Sequence, residues 1–79
     1  MNTELLVKMA NEISMFFASE SASTEAANDV ATHLKRFWEP RMRRQIIAHC
    51  EEHHGEGLTD LARQAVALLA AESKPSNPS

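Results

Sequence analysis

The chain has 79 residues, one cysteine, 43% hydrophobic residues and a formal net charge of −3. That length holds one small domain and leaves no room for a cofactor domain joined to a substrate domain; a lone cysteine excludes an internal disulfide. A single core in a domain this small contributes at most about 3–5 kcal/mol, so the chain either folds as a marginal bundle or completes its core against a partner.

The N-terminal stretch "MNTELLVKMANEISMFF" carries Glu4, Lys8 and Glu12 within its apolar pattern, so it is neither a signal peptide nor a membrane span. Together with the unpaired Cys50 this predicts a cytoplasmic protein. Leu6, Met9, Ala10, Ile13, Phe16 and Phe17 recur at the spacing of one face of an amphipathic helix. A Ser/Thr-rich link, "SESAST", follows, and Ser23 or Thr24 is placed to cap a second helix. There Ala27, Val30, Ala31, Leu34, Phe37 and Trp38 repeat the spacing. Pro40 ends that helix and opens a third, because proline is tolerated at a first helical position.

The third helix runs through Met42, Ile46, His49 and Cys50 to about His54, where "HGEGL" stops it with the two glycines of the chain, Gly55 and Gly57. Thr59 is suited to cap a fourth helix, with Asp60 in its first turn. Its apolar face is Leu58, Leu61, Ala62, Ala65, Leu68 and Leu69. The final "SKPSNPS" has two prolines and no apolar residue, which predicts a disordered tail over 73–79 behind a single helical domain over 1–72. The fold class is all-α: a small bundle of about four helices with short connections.

Charge is unevenly spread. In "HLKRFWEPRMRRQIIAH", residues 33–49, Lys35, Arg36, Arg41, Arg43 and Arg44 stand against Glu39 alone, near +4. The rest of the chain, three basic and ten acidic residues, is near −7. Such asymmetry fits a partner surface or, more plainly, a solvated helix face. Arg43 and Arg44 start the third helix and Glu51 and Glu52 end it, the reverse of what the macrodipole favours at about 0.3–1 kcal/mol per charge. An acidic neighbouring surface, in this protein or another, would explain that order.

Other chemistries are weaker. Arg41, Arg43, Arg44 and Gln45 at a helix start suit a helix-turn-helix, but the net charge is negative and further phosphate-gripping residues are few. His49 with His53, and Cys50 with His54, are four apart and could face zinc, but four ligands are needed and no second cluster exists. No nucleophile turn, glycine-rich phosphate loop or paired carboxylates point to catalysis.

"MANEISMFF", "HLKRFWEPRMRRQIIAH" and "GEGLTDLARQAVALL", in that order, resemble the delta subunit of the cytoplasmic, molybdenum-containing, NAD-dependent formate dehydrogenases. The similarity covers roughly residues 5–69 without the link at 18–25. It centres on Phe37, Trp38, Glu39, Pro40, Arg41, Met42 and Arg43. The chain departs from the family pattern at Thr59-Asp60, where an Asp-Pro pair is frequent, and in the more charged "EHHGEG".

The resemblance implies a non-catalytic accessory subunit that supports assembly, cofactor loading or stability. The large catalytic subunit would carry the molybdenum cofactor and iron–sulfur clusters, and another subunit the flavin. This chain would hold none of them. Tryptophan and arginine are enriched in binding hot spots, so Lys35, Arg36, Phe37, Trp38, Arg41, Arg43 and Arg44 form the candidate docking surface. For Trp38 a core position is equally open. An uncovered apolar face would also allow the isolated chain to dimerise.

Overall fold

The computed structural model describes residues 2–20 and 23–73. Its elements are α1 (Thr3–Glu20), α2 (Ser23–Phe37), α3 (Pro40–His53) and α4 (Asp60–Ser73), so the described residues form an all-α bundle. The expected side-chain cap at Ser23 or Thr24, and the tail beyond Ser73, lie outside what is described; Ser73 itself ends α4.

The starts of α1, α3 and α4 each have a physical cause. Asn2 begins α1: its Oδ1 accepts the Glu4 N–H at 2.8 Å, the bond expected of an N-cap asparagine. Glu39 precedes α3 with extended backbone (φ −67°, ψ 153°), the conformation that a following proline imposes, and Pro40 takes the first helical position. Thr59 caps α4 as its sequence position predicts, Oγ1 accepting the Ala62 N–H at 3.1 Å.

The end of α3 is less simple than two glycines. His54 itself turns left-handed at φ 58°, followed by Gly55 at 69° and Gly57 at 91°. Gly55 is buried, and a Cβ there would stand 3.1 Å from Arg63 Cγ and 3.3 Å from Cys50 Sγ. Gly55→Ala is therefore expected to destabilise the chain by about 1–2 kcal/mol from backbone strain, before any crowding. A thermal melt would show this as a drop of roughly 4–8 °C per kcal/mol.

The core joins Leu6 and Ala10 of α1, Val30, Ala31 and Leu34 of α2, Ile46 of α3, and Ala62, Ala65, Val66 and Leu69 of α4. Leu58 and Trp38 close it from the two connections. The interface of α2 with α4 is the most extensive in the bundle. Alanine lets these helices approach closely. Ser14 is buried in α1 and stays satisfied by donating to the Ala10 carbonyl at 2.8 Å.

Two residues of the expected core faces lie outside: Phe16 is 60% exposed and Phe37 67%. Val66, which the fourth apolar face did not include, is fully buried. Among the described residues no helix is long and apolar enough to cross a membrane.

Candidate docking surface

The α2–α3 corner divides the basic-aromatic residues into three groups. Trp38 goes inward. It is 5% exposed, packed in the core, and its N–H continues the helix by donating to Leu34 at 3.0 Å. Of the two positions open to it from the sequence, the core is the one observed.

Arg43 is the second group. Its Nη1 donates to the Lys35 carbonyl at 2.8 Å and to the Trp38 carbonyl at 2.7 Å. The last carbonyls of a helix have no intrahelical partner and carry its negative dipole end. A guanidinium is a planar multi-donor cation suited to such a place. Arg43 thus caps α2 from the first turn of α3. This gives Arg43, one of the charges in the reversed order of α3, a negative neighbour, and that neighbour is the end of α2.

The third group stays at the surface. Phe37 packs on His33 with ring centroids 4.7 Å apart and the planes tilted by 40°, His33 meets Phe17 edge-on at 5.9 Å, and Phe17 meets Phe16 edge-on at 5.2 Å. A file of four rings therefore crosses from α1 to α2, with exposed Phe16 and Phe37 at its two ends. The Arg36 guanidinium lies 5.8 Å from the Phe37 ring centroid, within cation–π range. Arg41 and Arg44 are exposed on α3, and among the described residues neither has a hydrogen-bond or ion-pair partner.

Lys35 turns to the other side, toward α4, where its Nζ is 3.1 Å from Glu72 Oε1. The seven candidate residues therefore do not form one patch. Phe37 and Arg36 belong to the ring file, Lys35 to a cleft against α4, and Trp38 and Arg43 to the interior and the helix cap. Phe16 and Phe17 join the surface from outside the basic stretch, and His33 from its first position. The one signal for them in the sequence was the position of Phe16 and Phe17 at the end of their apolar face.

Gln45 donates to Thr3 Oγ1 at 2.8 Å, tying α3 to the start of α1. Neither Gln45 nor Arg43 is thus held out toward solvent in the way a base-reading group would be. The His49 Nε2 is 2.8 Å from the Glu56 carbonyl, and the His49 and His53 rings sit 5.6 Å apart. Among the described residues no three His, Cys, Asp or Glu side chains are placed to hold a metal ion. Burial pushes the Cys50 thiol above its ordinary pKa; nearby Arg63 opposes this and Glu51 adds to it. At neutral pH it is a thiol and a poor nucleophile.

Comparison with curated proteins and with solved structures gives no match. A family model does match, over residues 5–66: FdsD, the NADH-dependent formate dehydrogenase delta subunit. Its span takes in α1 from Leu5, all of α2 and α3, and the first half of α4, including the corner and the ring file. The chain belongs to the FdsD family of formate dehydrogenase delta subunits.

Proposed function

We propose that this chain is a non-catalytic, cytoplasmic accessory subunit that docks onto the large subunit of a formate dehydrogenase complex and supports its assembly, cofactor loading or stability. The molybdenum cofactor, iron–sulfur clusters and flavin reside in the partner subunits. The observation that carries this reading is the uncovered ring file ending in Phe37, 67% exposed beside Arg36, in a chain of the FdsD family. Exposed aromatics next to arginine have the composition of interface hot spots. Arg41 and Arg44, exposed on α3 and without an ion-pair partner among the described residues, add guanidinium groups at the same corner that suit bidentate contacts to carboxylates.

The test is affinity capture of the tagged chain from its host grown on formate, with Phe37→Ser and Arg41→Ala variants alongside. Wild type is expected to bring down the large dehydrogenase subunit in constant ratio. Each variant should remain helical, because both side chains are exposed, and should lower the yield by about tenfold or more. Wild-type yield from both variants would place the docking surface elsewhere. Capture of nucleic acid alone, lost at moderate salt, would overturn the reading altogether.

A further inference from the structure

Lys35, Pro40, Arg43, Arg44, Ile47 and Glu72 line a cleft of about 360 Å³ where the end of α2, the start of α3 and the end of α4 meet. Three of the six carry positive charge and one carries negative charge. Arg43 uses Nη1 to hold the carbonyls of α2 but keeps its charge in the cleft. Arg44 has no ion-pair partner among the described residues. Lys35 is matched by the Glu72 carboxylate at 3.1 Å, with both side chains about half exposed.

We propose that this cleft is a carboxylate-binding site in which Glu72 is a displaceable internal occupant, and that its ligand is an acidic segment of the dehydrogenase complex. The inference rests on the docking function proposed above and names the chemistry of the partner at a second point of the corner. Charge complementarity carries it. The lining keeps an excess of two positive charges after Glu72 is counted, inside a stretch near +4 on a chain that is otherwise near −7.

Glu72 shows directly that a carboxylate fits at Lys35 Nζ. An exposed ion pair of this kind is weak, so an incoming pair of carboxylates can replace it. Arg44 adds the planar fork that reads a carboxylate bidentately. Pro40 and Ile47 offer apolar surface beside the charges. The segment that fits has two carboxylates close together with an apolar residue next to them.

The sign of the Glu72 effect separates this role from a merely structural one. Binding of the full chain to a formate dehydrogenase complex purified without its delta subunit would be followed by biolayer interferometry at low and high salt. Glu72→Gln is expected to tighten binding about two- to fivefold, the value of a lost exposed competitor. Lys35→Gln and Arg44→Gln are expected to weaken it by about tenfold each. All three differences should shrink at high salt, as screening requires.

If Glu72→Gln binds as wild type does or more weakly, Glu72 is no competitor and the cleft proposal falls while the docking function stands. If Lys35→Gln and Arg44→Gln bind normally, the cleft proposal likewise falls. If wild type does not bind the complex at all, the docking function falls and takes this inference with it. If the Glu72→Gln gain is self-association, seen as a dimer by light scattering, the occupant is a second copy and the acidic partner segment is refuted.

Discussion

Trp38→Ala is expected to abolish the cooperative thermal transition of the isolated chain. Truncating a buried tryptophan costs about 3–5 kcal/mol from lost burial and the cavity left behind. That equals the whole stability a single core of this size supplies. Trp38 sits where it cannot be replaced locally. It is buried at the α2–α3 corner against a core whose other members are mainly alanine, leucine and valine, and no other tryptophan or tyrosine exists to fill the space.

Its carbonyl is also one of the two that Arg43 holds, so loosening the corner weakens the cap as well. Far-ultraviolet circular dichroism during heating is the measurement. Trp38→Phe, which leaves a smaller hole, should retain a transition at lower temperature. A cooperative melt of Trp38→Ala close to that of wild type would remove Trp38 from the core.

Arg43→Ala and Arg44→Ala should behave as opposites although the residues are neighbours. Arg43 makes two charge-assisted bonds to helix-terminal carbonyls. Hydrogen bonds to charged groups contribute about 1.5–3 kcal/mol, so its loss should lower the stability measured by urea unfolding by about that much. Arg44 has no partner among the described residues, and its replacement should change stability by less than about 0.5 kcal/mol. Capture of the dehydrogenase complex should fall for Arg44→Ala even though the chain is intact. Equal stability loss in the two variants would mean that Arg43 does not cap α2.

The helices were legible because their causes are local. Pro40 permits one backbone direction, and Thr59 caps with its own side chain. The apolar spacing of Leu6 and Ala10, or of Val30, Ala31 and Leu34, can bury only one face. What the pattern did not convey is where a face stops being covered. Phe16 and Phe37 continue the spacing of their helices, but they lie at the edge of the stripe, and whether another helix reaches them depends on packing angles that period alone does not carry.

The charge order of α3 was readable as an anomaly, and what Arg43 does there was not. The carbonyls of Lys35 and Trp38 that Arg43 caps are backbone groups, invisible in a side-chain alphabet. The same applies to Lys35, which sequence proximity grouped with Arg36 and Phe37. Successive helical residues point about 100° apart, and Lys35 faces α4 while Phe37 faces the side of α1.

One polar contact bears on how such a chain comes into being. Asn11 of α1 donates through Nδ2 to the Gly57 carbonyl at 2.9 Å and accepts the Thr59 N–H at Oδ1, also at 2.9 Å. Its amide thus stands in for a peptide group, pairing with the loop as an adjacent strand would. The partners are 46 and 48 residues away along the chain. During synthesis the first helix therefore leaves the ribosome with half of this contact, and the other half exists only once Gly57 and Thr59 have been made. The loop before α4 is thus tied down by a residue of α1, and a nascent chain halted before Thr59 lacks that tie even though α1, α2 and α3 are all present to pack.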